Sequence, residues 1–275
     1  MRILFIGDIV GKPGRDLVRH GLGALVDRHE IDFVIANAEN AAAGRGITRE
    51  IGDQLLEWGI DVLTSGNHIW DKKEALAYIG AEARLLRPLN YPVGVPGNGS
   101  YLARSRRGAS VGVVNAMGRV FMLNIDDPFA GILREIEALR QRTRIIFVDF
   151  HAEATSEKIA MGWHLDGKVT AVVGTHTHVQ TADERILPKG TAYLTDVGMT
   201  GPHDSIIGVE IEPALGKFLN ALPARFDTAT GNPRLNAVVV DANEQTGRAD
   251  AIERLSYSAD ELQQLADVGS VRSAV

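Results

Sequence analysis

The sequence contains no cysteine at any of its 275 positions. Disulfides, iron–sulfur clusters and thiolate zinc sites are therefore excluded for this chain. It also lacks any apolar run near the length of about 20 residues that a membrane-spanning helix needs. The N-terminal segment does not have the pattern of a signal peptide. We therefore expect a soluble cytoplasmic protein with no membrane partner.

An excess of basic residues is also missing, since Lys and Arg number 29 against 35 Asp and Glu and the net charge is −6. A long nucleic acid is therefore not an expected partner, whereas a small nucleotide is compatible with this charge. No linker divides the chain, so we interpret residues 1–275 as a single domain, with a short helix and a frayed tail from about residue 260. The sequence leaves open whether the protein is a homo-oligomer.

Short apolar strands alternate with helical patterns in the first third of the chain. Residues 3–6 and 33–36 are brief apolar runs, residues 62–65 form a third short strand pattern, and each precedes a helical pattern. This order predicts an α/β fold with mainly parallel strands. The alternating segment at residues 236–240 predicts antiparallel strands of a second sheet.

Several helix starts can also be predicted from capping residues. Thr48 is a predicted N-cap, and Asp127 followed by Pro128 predicts another helix start. Asp71 with Glu74 three residues later resembles a capping box.

Each predicted buried strand runs into side chains that can ligate a metal ion. The clearest case is GTHTH at residues 174–178, which follows the apolar run 169–173. Open α/β sheets bind ligands at such strand ends. A cysteine-free set of carboxylates, carboxamides and imidazoles suits a pair of Mn, Fe, Zn or Co ions better than a structural zinc. The candidate residues are Asp8, Glu39, Asn40, Asn67, His68, His151, His176 and His178.

Each candidate also has an ordinary structural interpretation when it is taken alone. Asp8 could cap the helix that follows it, and Glu39 or Asn40 could satisfy a turn. Their joint occurrence at separate strand ends favours a site. Four other histidines do not lie at such junctions and are interpreted as surface or core residues: His20, His29, His164 and His203.

The motifs together resemble the calcineurin-like metallophosphoesterase superfamily over nearly the whole chain. They are GD at residues 7–8, NAEN at 37–40, GNH at 66–68, the lone His151, and GTHTH at 174–178. Two departures narrow the resemblance, because Val10 stands where most members have histidine and Glu39 where most have aspartate. The segments GDIVG, NAENAA, TSGNHIWD and TDVGMTGP are similar to those of YmdB-type phosphodiesterases.

This resemblance implies a four-layer α/β/β/α sandwich and a binuclear phosphodiesterase that acts on 2′,3′-cyclic nucleotides. The implied cofactors are two divalent transition metal ions, iron foremost and manganese as the alternative. A metal-bound hydroxide would attack phosphorus, with His68 as the proton donor. The implied ligands are Asp8, Glu39, Asn40 and His178 for one metal, and Glu39, Asn67, His151 and His176 for the other.

Two other functions remain compatible with these residues. One is a binuclear metal nucleotidase or amidohydrolase, and the other is a signalling regulator that binds a nucleotide with little turnover. The residues that contact the substrate are not identified, although the Pro- and Gly-rich stretch after Arg87 could frame a base near Asn90 or Tyr91.

Overall fold

The computed structural model describes residues 1–272, which form two β-sheets with helices on their outer faces. The strands are β1 (Arg2–Ile6), β2 (Asp8–Ile9), β3 (Phe33–Asn37), β4 (Val62–Thr64), β5 (Ser100–Arg104), β6 (Ser110–Met117), β7 (Ile145–His151), β8 (Ala171–Thr175), β9 (Arg185–Ile186), β10 (Ala192–Leu194), β11 (Met199–Asp204), β12 (Gly231–Ala242) and β13 (Ala249–Ser258). The helices are α1 (Gly11–His29), α2 (Arg49–Glu57), α3 (Ala75–Ala81), α4 (Pro128–Arg140), α5 (Thr155–Leu165), α6 (Ile211–Asn220) and α7 (Ala259–Arg272).

The first sheet has the strand order β2-β11-β12-β1-β3-β4, with β13 paired to β12. Strands β1, β3 and β4 are parallel, as expected, but β12 is antiparallel to β1. The segment 236–240 lies in β12, so its predicted place in a second sheet is wrong. The second sheet has the order β5-β6-β7-β8-β10-β9, and its strands β6, β7, β8 and β10 are parallel.

Successive side chains along a strand point to opposite faces of the sheet, and this alternation produces the layers. In β1, Ile3 and Phe5 point between the two sheets, and Leu4 and Ile6 point towards the helices. Phe5 stacks on Phe147 of β7 with ring centroids 5.4 Å apart, which joins the sheets face to face. One further apolar layer packs helices onto the outer face of the first sheet, and another packs helices onto the outer face of the second. The expected four-layer α/β/β/α sandwich is therefore confirmed.

Two of the three predicted helix starts are confirmed. The Thr48 side chain accepts a hydrogen bond from the first turn of α2, and Asp127 does the same for α4. The capping box before α3 is wrong, because the helix begins at Ala75 and the N-cap Glu74 makes no side-chain capping bond. Asp71 instead binds the ring of His68 at 2.9 Å.

The C-terminal segment from about residue 260 forms the helix α7. Its Leu262 is buried in the same apolar layer as α1, which attaches the helix to the first sheet. The tail that was expected to fray continues into residues 273–275, which lie outside the described residues. Within residues 1–272, none of the helices combines the length and apolar character required to cross a bilayer. The interpretation of the whole chain as one domain stays a prediction.

Candidate metal centre

The carboxyl ends of parallel strands from both sheets meet at one end of the sandwich. Asn37 ends β3 of the first sheet, and its amide donates to Asp149 on β7 of the second sheet, with Nδ2 and Oδ2 3.1 Å apart. The strands that carry the candidate ligands belong to two different sheets, because β7 and β8 pair with each other in the second sheet. The candidates therefore face one another across the gap between the sheets.

The ring nitrogen Nε2 of His151 is the centre of one group of candidate ligands. It lies 3.0 Å from Glu39 Oε1, 3.1 Å from Asn67 Oδ1 and 3.0 Å from His176 Nδ1. His151 is fully buried, and Glu39 is 1% exposed. Glu39, His151 and His176 each present a ligand atom, and these atoms lie within 4.8 Å of one another.

The glycine of the GNH motif makes this approach feasible. A Cβ atom added to Gly66 would lie 2.2 Å from His151 Nε2, which is inside any permitted contact distance. Any larger residue at position 66 would therefore displace the ring of His151. This is the physical reason for glycine immediately before Asn67.

A second group of candidate ligands lies beside the first. Asp8 Oδ1 is 3.9 Å from His178 Nε2 and 4.0 Å from His151 Nδ1. The Asn40 amide lies 3.2 Å from His178 Nε2 and 3.4 Å from Glu39 Oε1. The same oxygen of Glu39 therefore faces both groups. All seven predicted ligands converge at this end of the sandwich.

Burial and mutual contact shift the pKa values of these groups strongly. Burial acts to raise the pKa of Glu39, but the charge and hydrogen bond of His151 outweigh it and lower that pKa to about 2. Burial acts to lower the pKa of His151, but Glu39 and Asp8 raise it to about 9. Burial and the neighbouring His151 lower the pKa of His176 to about 3. The contact between Glu39 and His151 therefore favours an ionised carboxylate beside a protonated imidazole.

The donor set fits divalent cations. Asp8 Oδ1 is buried and has no hydrogen-bond partner within residues 1–272, and burial raises the pKa of this carboxyl. His178 Nδ1 lies 2.8 Å from the carbonyl oxygen of Ile207 and must donate to it. The lone pair of a neutral His178 is then on Nε2, facing Asp8. Buried acceptors that face one another without enough donors are stabilised by positive charge. Mixed nitrogen and oxygen ligands suit manganese, iron, cobalt or zinc.

The loop that carries His176 and His178 has a strained backbone. His176 and His178 have φ angles of +101° and +65°, a region that residues other than glycine rarely adopt. Between them, Thr177 donates its backbone N–H and its hydroxyl to Asp196 Oδ2, at 3.1 Å and 2.7 Å. The buried Lys158 pairs with the same oxygen at 2.6 Å. This Asp196–Lys158 pair holds the loop in a conformation that aims both imidazoles inward.

His68 lies at the border of the cluster rather than inside it. Its backbone N–H donates to Glu39 Oε2 at 2.9 Å, so the residue is tied to the shared carboxylate. Its ring Nδ1 lies 2.9 Å from Asp71 Oδ2, and its side chain is 27% exposed. A carboxylate only accepts hydrogen bonds, so Nδ1 of His68 carries hydrogen. In the neutral ring, Nε2 is then the nitrogen without hydrogen.

A family model for YmdB-like proteins matches residues 4–255. The chain belongs to the YmdB-like family. It is 50% identical over 262 residues to the 2′,3′-cyclic-nucleotide 2′-phosphodiesterase of Bacillus subtilis (strain 168), an alignment that covers 95% of this chain and 99% of that protein.

Solved structures agree with this membership in the YmdB-like family. A crystal structure of a hypothetical protein from Thermus thermophilus superposes with a TM-score of 0.86 at 45% identity, covering 94% of this chain and 99% of the other. A crystal structure of a novel phosphatase from Mycoplasma pneumoniae superposes with a TM-score of 0.87 at 35% identity, covering 94% and 93%. The expected family, and the expectation of an enzyme of the phosphatase and phosphodiesterase class, are confirmed.

Several residues of the site were not identified from the sequence. Asp149 and Thr175 lie behind His151, and Asp196 and Lys158 lie behind the histidine loop. The available signal was a charged residue inside an apolar segment, as Asp149 is in β7. The four histidines interpreted as structural bond elsewhere or lie apart from the cluster; His20 Nδ1, for example, contacts the Asp16 carbonyl oxygen.

We predict that Asn40→Ala lowers the metal content of the YmdB-like chain from about two ions towards one. Val10 is buried and has no ligand atom, so Asn40 is the neutral candidate ligand beside His178. Elemental analysis of the purified variant after metal reconstitution measures this. Loss of both ions, or retention of both, would contradict the assignment of Asn40 to a single metal.

Proposed function

We propose that this chain is a binuclear metal-dependent phosphodiesterase that hydrolyses 2′,3′-cyclic nucleotides. The observation that carries the proposal is the convergence of Glu39, Asn67 and His176 on His151 Nε2, with Asp8 and His178 alongside. The name of the Bacillus subtilis relative supports the choice of substrate. A solved relative from Mycoplasma pneumoniae is called a phosphatase, so the reaction class has support from two relatives.

The two groups of ligands would hold one cation each, with Glu39 shared between them. Asp8, Asn40 and His178 complete the first set, and Asn67, His151 and His176 complete the second. Two divalent ions there, iron first and manganese as the alternative, would neutralise phosphate charge, acidify a water molecule and orient the diester. The protein's part is to hold these ligands in a buried frame that excludes bulk water.

His68 supplies the proton that the leaving ribose oxygen needs. In the proposed reaction, a water molecule loses one proton to solvent as its oxygen bonds to phosphorus, and the bond from phosphorus to O2′ breaks. O2′ takes a proton from His68 Nε2, which leaves a nucleoside 3′-monophosphate. Asp71 Oδ2 lies 2.9 Å from the opposite ring nitrogen, Nδ1, and this hydrogen bond fixes the orientation of the ring. No covalent enzyme intermediate is required.

The space beside the cluster suits one nucleoside better than a polynucleotide. A groove of ≈ 360 Å³ adjoins His178 and is also lined by Gln180, His203 and Asn236. This volume is within the range of about 300–1,000 Å³ for small-ligand sites. Asn90 does not suit a base contact, because its amide is engaged by Met117 and by the Asp126 carbonyl oxygen. Tyr91 packs edge-on against Trp70.

The test compares initial rates with manganese or iron restored. We expect 2′,3′-cyclic AMP to be hydrolysed faster than 3′,5′-cyclic AMP, and much faster than a simple monoester, an amide substrate or single-stranded DNA. Preference for a monoester or an amide would favour a nucleotidase or an amidohydrolase. Saturable nucleotide binding without product release would favour a signalling regulator. Either result would overturn the proposed substrate class.

A further inference from the structure

A chain of two hydrogen bonds holds His151 from the side that faces away from the candidate metal ligands. Its Nδ1 lies 2.9 Å from Thr175 Oγ1, and this hydroxyl lies 2.8 Å from Asp149 Oδ1. All three residues are fully buried. These two hydrogen bonds link β7 to β8 near the last residues of both strands. They end at the His151 ring, which has the largest number of candidate ligands around it.

The direction of each hydrogen bond follows from the partners of Asp149. Its second oxygen, Oδ2, accepts from Thr64 Oγ1 at 2.5 Å and from Asn37 Nδ2 at 3.1 Å. Both neighbours are donors to this oxygen, so Asp149 acts as an acceptor and the Thr175 hydroxyl must donate to Oδ1. Thr175 Oγ1 then has only lone pairs left for His151. The Nδ1 atom of His151 therefore carries hydrogen and donates to Thr175.

This direction decides which nitrogen of His151 can bind a cation. A neutral imidazole has one lone pair, on the nitrogen without hydrogen. With hydrogen held on Nδ1, the lone pair is on Nε2, the atom that faces Glu39, Asn67 and His176. Without the hydroxyl, the hydrogen can occupy Nε2 and compete with the cation. Partners of this kind orient the histidine ligands in many metal sites.

We propose that Thr175 is a positioning residue that fixes the tautomer of His151, through the hydroxyl group that links the His151 ring to Asp149. This inference rests on the proposed function, because it requires that His151 bind a metal. In this role the Thr175 side chain touches neither the substrate nor the cations. Only the hydroxyl group of Thr175 is needed for this role, so Thr175→Ser should preserve it.

The experiment measures metal affinity and ring protonation in the full chain. Thr175→Val and Thr175→Ala both remove the hydroxyl, and Thr175→Ser keeps it. Thr64→Val is the matched control, since it removes another donor to Asp149 without touching His151. Manganese affinity is measured by competition with a chelator, and melting of the metal-free variants checks folding. Zinc-loaded protein is used to observe the exchange-protected Nδ1–H proton of His151 by NMR.

We expect Thr175→Val and Thr175→Ala to weaken one of the two metal-binding steps by about 10- to 100-fold, the usual effect of losing an outer partner of a ligand. The His151 Nδ1–H signal should disappear in these variants and persist in Thr175→Ser and Thr64→Val. Native affinity in both hydroxyl-free variants would overturn the inference and leave the proposed function intact. An equal loss in Thr64→Val would also overturn it, because the effect would then be general packing. A native chain that binds no manganese would instead overturn the proposed function itself.

Discussion

Glu39→Gln is expected to empty both metal sites and to abolish most turnover. Glu39 Oε1 lies 3.0 Å from His151 Nε2 and 3.4 Å from the Asn40 amide, so one oxygen serves both groups of ligands. Glutamine has nearly the same shape but removes the negative charge that both cations would share. Changing an outer partner of a metal ligand usually lowers activity by about 10- to 100-fold. The loss of activity in Glu39→Gln should be larger than this.

The measurement for Glu39→Gln combines elemental analysis with turnover of a cyclic nucleotide. Glu157→Gln is the matched control, because Glu157 is also buried but its carboxylate accepts from the backbone N–H groups of Arg119 and Val120 rather than from a predicted ligand. That control should retain both ions. If Glu39→Gln keeps its full metal content, Glu39 does not bridge the two cations.

The side chains that converge at the candidate site could be named from the sequence because their signal is local. A polar side chain shortly after a brief apolar strand marks the end of that strand, as Asp8 after β1 and His68 after β4 show. These side chains need only the strand order to be brought to the same end of the sandwich. The helix caps at Thr48 and Asp127 are local in the same sense, and both are present in the structure.

The features that were missed depend on contacts between distant parts of the chain. The segment 236–240 alternates as an antiparallel strand does, but the pattern does not reveal that its partner is β1 in the first sheet. The capping box is the exception, because the competing partner is local: Asp71 binds the ring of His68, three residues away, instead of capping α3. The buried pair of Lys158 and Asp196 joins residues 38 positions apart, which no local pattern indicates.

His68→Gln is expected to keep both metals and to lose about 10²–10⁴-fold in turnover of a cyclic nucleotide, the usual contribution of a general acid or base. His68 lies outside the cluster of ligands, and its side chain is partly exposed, so its replacement leaves the ligand set intact. A ribose oxygen is a poor leaving group and needs a proton as the bond to phosphorus breaks. Glutamine can donate a hydrogen bond but cannot transfer that proton.

The leaving group separates proton donation from the other roles that His68 could have. A nitrophenyl diester releases a stable anion that needs no proton, so His68→Gln should slow its hydrolysis far less than that of 2′,3′-cyclic AMP. His20→Gln is the matched control, since His20 is exposed on α1 and should leave both rates unchanged. Equal losses on the two substrates, with metal content retained, would show that His68 binds phosphate rather than donating the proton. Loss of metal in His68→Gln would instead make it a supporting residue of Glu39, to which its backbone N–H is bonded at 2.9 Å.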